Sequence, residues 1–146
     1  MDYLWIFFLY QGKGVSIIGD DNCQHLDVGG KVVMRLTKTL PKGTTIYMDR
    51  YFTSVPLLDA LHVISECQAV GTIQKGRIPK ECNLKSDNIM RREGRGSVDQ
   101  AVRNDGQIAI IKWFNNRPVT LISSKQGKIP QDQCRRWSKK IRNILW

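Results

Sequence analysis

Residues 44–61 read TTIYMDRYFTSVPLLDAL, and this stretch decides the fold. Thr44, Thr45, Ile46, Tyr47 and Met48 are β-branched, aromatic or apolar, the make-up of a buried strand. Asp49 follows at the strand's C-terminal end. Thr53 or Ser54 can cap a helix, and Pro56 suits its first turn, where a missing N–H does no harm. Leu57, Leu58, Leu61 and Ile64 recur at helical spacing and predict one apolar face over residues 56–65. Strand, acid, cap and helix make a βα unit with its ionisable group at the mouth, where open α/β sheets take ligands. By chemistry alone Asp49 reads first as a loop aspartate that accepts a backbone amide or pairs with Arg50, since one carboxylate makes no metal site.

Working outward, residues 67–73 predict a second short buried strand, and strand, helix, strand in this order implies a parallel pair. Upstream, residues 28–40 place Val32, Val33, Leu36 and Leu40 on one side and Lys31, Arg35 and Lys38 on the other, an amphipathic helix ended by Pro41 and Gly43. Residues 15–27, with Asp20, Asp21 and Asp27, read as a solvated polar loop in preference to a cation site. Residues 3–10, YLWIFFLY, read as a buried strand. The run is too short to span a membrane and lacks the basic flank and cleavage site of a leader.

Downstream, Gly76, Pro79, Asn83, Ser86, Gly94 and Gly96 break residues 75–97 into an irregular basic segment. Residues 97–103, 107–114 and 117–124 predict a three-stranded meander turned by Asn104-Asp105-Gly106 and Asn115-Asn116. In its middle strand Ile108 and Ile110 alternate with Ala109, Ile111 and Trp113. Both faces are therefore apolar, and such a strand needs cover on two sides.

The net charge of +10 is unevenly placed. Residues 1–74 carry six Lys/Arg against seven Asp/Glu, and residues 75–146 carry seventeen against six. Such asymmetry points to an anionic partner, with nucleic acid ahead of a membrane surface because no amphipathic basic helix is evident. The candidate contacts are Lys75, Arg77, Arg91, Arg92, Arg95, Lys112, Arg117, Arg135, Arg136, Lys139 and Lys140. Around Trp137 the last of these could hold phosphates while the indole stacks on a base, or the tail could be a frayed basic end. Cys23, Cys67, Cys82 and Cys134 lie far apart, and neither they nor His25 and His62 have zinc-ligand spacing, so reduced thiols are expected.

The stretch YMDRYFTSVPLLDAL resembles the D-x-[FY]-F-T-S-x-x-L signature of piggyBac-type transposases and proteins derived from them. Tyr10-Gln11-Gly12-Lys13, GGKVVMRL at 29–36, AVGTI at 69–73, IIKW at 110–113, PVTLISS at 118–124 and Arg136-Trp137 resemble further motifs of that family in the same order. The resemblance implies an α/β (α+β) chain with a partial ribonuclease-H-like fold at 1–74, an inserted basic β meander at 75–127 and a basic tail at 128–146. In the family three carboxylates hold two divalent metals, and Asp49 matches the second. The first is expected before the YQGK turn, where Asp2 sits too close to replace it, and the third after Trp146. The expectation is a catalytically incomplete transposase relative. It would be nuclear by resemblance and not an enzyme, and it would bind DNA without cleaving it. No cofactor is expected to bind tightly, and Mg²⁺ at Asp49 follows from resemblance only.

Other readings are a module that docks on an intact relative or on itself, and a relic with no role. The family's sheet order, 3-2-1-4-5, would make residues 3–10 and 44–48 unpaired edges. Association and least order at residues 1–30 are then expected.

Overall fold

The computed structural model describes residues 21–128, together with the backbone of two short strands at Arg136–Ser138 and Asn143–Leu145. A 3-10 turn at Asp21–Cys23 leads into helix α1, Val28–Thr37. Asp27 caps it by accepting from the Gly30 N–H at 2.8 Å. Two glycines open this helix because its first turn is pressed close. A Cβ at Gly29 would stand 3.4 Å from the Phe52 ring and from the Tyr51 carbonyl. The helix stops at Lys38, short of the 28–40 span that its apolar pattern suggests, and Leu40 lies in the following turn, donating its N–H to the Thr37 carbonyl. Asp27 is thus a helix cap as well as an exposed acid.

Strand β1, Thr45–Met48, is followed by helix α2, Val55–Ser65, and strand β2, Gln68–Thr72. Strands β1 and β2 pair in parallel, Ile46 against Ala69, as the βαβ reading requires. Ser54 is the cap of α2, accepting from the Leu57 N–H, whereas Thr53 is fully buried and donates its hydroxyl to the Asp49 carbonyl at 2.9 Å. Leu57, Leu58 and Leu61 are wholly buried. They form the core with Val33 and Met34 of α1, Ala69 of β2, and Ile110 and Ile122 of the meander.

The segment read as irregular contains a helix. After a 3-10 turn at Lys75–Arg77, α3 runs Asp87–Glu93, capped by Ser86 and closed by Gly94 at φ 93°. It escapes a periodicity reading because seven residues hold only two apolar side chains, Ile89 exposed and Met90 buried. Strands β3, Val98–Val102, β4, Ala109–Phe114, and β5, Pro118–Ser123, form the expected antiparallel meander. Gly106 takes φ 73° in the first turn, while Asn115 and Asn116 keep negative φ in the second.

The meander does not stand apart. Strand β5 pairs antiparallel with β2, Gly71 against Ile122, giving a single sheet in the order β1-β2-β5-β4-β3. Arg103, between Asp59 of α2 and Asp105 of the turn after β3, ties the two parts at 2.8 and 2.6 Å, and both carboxylates push its pKa up further. Among the described residues β1 is an edge of the sheet. Residues 3–10 and most of the segment expected to be least ordered lie outside the described residues. Residues 21–30 hold the 3-10 turn and the start of α1, with Cys23 and Leu26 buried. Strands β6, Arg136–Ser138, and β7, Asn143–Leu145, form a separate antiparallel hairpin.

Candidate nucleic-acid interface at the mouth of the parallel strands

Asp49 follows directly on β1, exposed at the C-terminal end of the parallel pair. One carboxylate oxygen accepts from the Arg50 backbone N–H at 2.6 Å and from the Thr72 hydroxyl at 3.4 Å. The link to Arg50 is therefore through the main chain and not an ion pair. The Asp49 carbonyl gathers the next turn by accepting from Phe52 N, Thr53 N and the Thr53 hydroxyl.

Arg77 holds this loop from outside. One guanidinium nitrogen donates to the Tyr51 and Thr53 carbonyls at 3.0 and 3.1 Å, and another donates to Asp27 at 2.6 Å. Asp27 in turn caps α1. Arg77→Ala should cost about 2 kcal/mol, since two carbonyls and one carboxylate lose a shared charged donor. Arg77→Lys should recover less than half of that, because one ammonium cannot span three acceptors. Urea denaturation of the three proteins checks both statements.

Beside the loop lies a cleft of about 460 Å³ with Arg50, Gln74, Lys75 and Thr120 on its walls and the Lys112–Asp87 pair at its side. Lys112 is mostly enclosed. It bonds Asp87 at 2.5 Å and the Lys85 carbonyl at 2.8 Å, and this ammonium holds the Asp87 carboxyl below its usual range. Lys85 does the same for Glu93, with help from the Ser97 hydroxyl. Burial and then Asp99 push the Cys82 thiol up, so it is a poor thiolate nucleophile.

The structure thus sorts the basic residues read from the sequence. Lys75 lines the cleft with its side chain exposed. Arg91 and Arg92 are exposed on the last turn of α3. Arg95 donates to the Asn115 side chain at 2.8 Å, which brings it to the β4–β5 turn that carries exposed Arg117. Arg77 and Lys112 spend their donors inside the molecule. Arg135, Lys139 and Lys140 lie outside the described residues, and for Arg136 only the backbone is described. Arg50 was missed by a count that looked for charge after residue 74. Its position one residue beyond a strand-terminal acid was the available signal.

The described residues form a mixed α+β sheet with a carboxylate at the end of its leading parallel strand and a helix returning from it, an arrangement in keeping with part of a ribonuclease-H-like fold. The family described as Transposase IS4 matches residues 1–145, and the chain belongs to it. The chain is 31% identical over 151 aligned residues to the human PiggyBac transposable element-derived protein 3, covering 99% of this chain and 24% of the relative. It is likewise 31% identical to the human Chimeric ERCC6-PGBD3 protein, of which it covers 13%. A solved piggyBac transposase, in a synaptic complex with hairpin DNA, superposes with a TM-score of 0.60 at 19% identity over 92% of this chain and 26% of that one. The chain spans about a quarter of the length of the first relative it matches.

Divalent-metal chemistry in such a fold needs several carboxylates to hold two cations about 4 Å apart. Among the described residues no group of three or more His, Cys, Asp or Glu could hold a metal ion. Asp49 and the Thr72 hydroxyl are side-chain oxygens at this strand end, and a single carboxylate by itself leaves a Mg²⁺ mostly to water. No helix among the described residues is long and apolar enough to cross a membrane.

Proposed function

We propose that this chain is a nuclear, transposase-derived DNA-binding module that grips the phosphate backbone at the mouth of β1 and β2 and does not cut it. One observation carries the reading: Arg50 and Lys75 face a common cleft beside Asp49, where a ribonuclease-H-like sheet presents its strand ends. Arg91, Arg92, Arg95 and Arg117 extend the positive surface from α3 to the β4–β5 turn. Cations on phosphates give affinity without base information, so binding is expected to be weak and largely independent of sequence.

Binding to duplex DNA measured across a salt series tests this. Each phosphate contact contributes about 0.9 to the slope of log affinity against log salt. Arg50→Ala with Lys75→Ala should flatten the slope by about two, and the Arg91, Arg92, Arg95 triple alanine variant by up to about three. An unchanged slope in the Arg50/Lys75 variant removes the cleft from the interface.

The absence of cleavage is tested separately. The purified chain should neither nick nor join transposon-end DNA with Mg²⁺ or Mn²⁺. Metal-dependent cleavage that disappears in Asp49→Ala would overturn the non-catalytic reading.

A further inference from the structure

The two cations on the walls of the cleft stand on separate pieces of chain. Arg50 belongs to the turn after β1. Lys75 opens the 3-10 turn after β2, where the Gln74 and Lys75 carbonyls accept from Arg77 N and Ile78 N at 2.9 and 3.3 Å. The β1–β2 ladder ends with Met48 against Gly71, short of both turns. Arg77 spans the gap. It lies two residues past Lys75, and its guanidinium reaches the Tyr51 and Thr53 carbonyls on the turn that carries Arg50.

The other arm of the fork ends on Asp27. A flat guanidinium keeps one direction when both arms are engaged, which a single ammonium cannot do. Asp27 is itself held, because its second oxygen caps α1 through the Gly30 N–H. The first turn of α1 also lies against the loop, since a Cβ at Gly29 would stand 3.4 Å from the Tyr51 carbonyl. From inside, buried Thr53 closes the same turn on the Asp49 carbonyl.

The side chains of Arg77 and Asp27 are 28% and 42% exposed, so a phosphate entering the cleft feels both charges. An acid on such a surface repels DNA. Any help that Asp27 gives to binding must therefore come through geometry.

We infer that Asp27 and Arg77 are a positioning pair for the cleft: the acid aims the guanidinium, and the guanidinium sets the Arg50 turn against the Lys75 turn so that both cations reach one run of phosphates. The pair acts through Arg50 and Lys75 and makes no phosphate contact of its own. This inference rests on the DNA-binding reading given above.

Binding of duplex DNA to the full chain across a salt series tests it, with Asp27→Asn as the variant. Asparagine keeps a cap oxygen for the Gly30 N–H and loses the charge and acceptor that face Arg77. The chain gains one positive charge, so electrostatics alone expects tighter binding. Through the pair, affinity should instead fall about fivefold, and the salt slope should become no steeper. In a chain that already carries Arg50→Ala and Lys75→Ala, the same substitution should change affinity by less than about twofold, because the residues it acts through are gone.

Tighter binding with a slope steeper by about 0.9 would make Arg77 a phosphate contact restrained by Asp27, and would overturn the inference. A loss of equal size in the double-alanine chain would overturn it as well, since the effect would bypass the cleft. Should Asp27→Asn not fold, Arg77→Lys replaces it in the same cycle. That variant keeps the charge and loses the fork, so binding should weaken in the parent and not in the double-alanine chain; unchanged binding in the parent refutes the pair. A parent that shows no salt-dependent binding overturns the DNA reading and this inference together. A parent that binds, and binds no less well with Asp27→Asn, overturns this inference alone.

Discussion

Gly71→Ala should cost about 3 kcal/mol or more, at the upper end of what overpacking does. Gly71 sits in β2 opposite Met48, beneath the loop that carries Asp49. An added Cβ would overlap the buried Thr53 hydroxyl and stand 2.8 Å from the Met48 carbonyl. The first obstacle is a side chain that anchors the Asp49 carbonyl, and the second is backbone within a paired strand. Neither yields without moving β1 against β2. Adding Thr53→Ala should return only part of the loss, because the Met48 carbonyl remains and the bond to Asp49 is gone. Urea midpoints of the two single variants and the double measure this. An unfolding free energy for Gly71→Ala within about 0.5 kcal/mol of the parent would show the strands giving way freely.

Leu61→Ala should cost about 3–4 kcal/mol, within the range for truncated core leucines. Its side chain is completely buried between the helix layer and the sheet, and it belongs to the cluster that joins α1, α2 and the meander. Neighbours on three elements cannot all close on the space, since each is fixed by its own strand or helix. Leu61→Met keeps the volume and should cost less than about 1.5 kcal/mol. If the two variants melted alike, packing at this position would not be what holds the layers together.

The parts legible in the sequence were those governed by near neighbours. Tyr47 and Met48, Asp49, Ser54 and the leucines of α2 spell strand, acid, cap and helix within one short stretch, and the structure follows that order, though β1 is a half-exposed edge with Tyr47 75% exposed and not a buried strand. The meander strands follow for the same reason, each bounded by its turn residues. Helix α3 was hidden because its cap at Ser86 was present but its apolar stripe was not. The entry of β5 between β2 and β4 was not legible either, since pairing of Val70 with Ser123 leaves no local mark. Charge misled in a different way. Arg77 and Lys112 count as free cations in a sequence, yet geometry commits one to three oxygen acceptors and the other to Asp87 and Lys85. Arg50 reads in the sequence only as a partner for Asp49, yet it lines the cleft.

The place of β5 in the sheet also sets an order in time. The unit of β1, α2 and β2 is built from nearby residues, and so is the β3–β4–β5 meander, so each can form as soon as its own residues are available. Joining them requires β5 to meet β2 across everything in between, a closure whose entropy is lost before any contact rewards it. During synthesis β2 emerges early and waits with one edge bare until residue 123 has left the ribosome. That wait is the interval in which the growing chain is most open to pairing with the wrong strand.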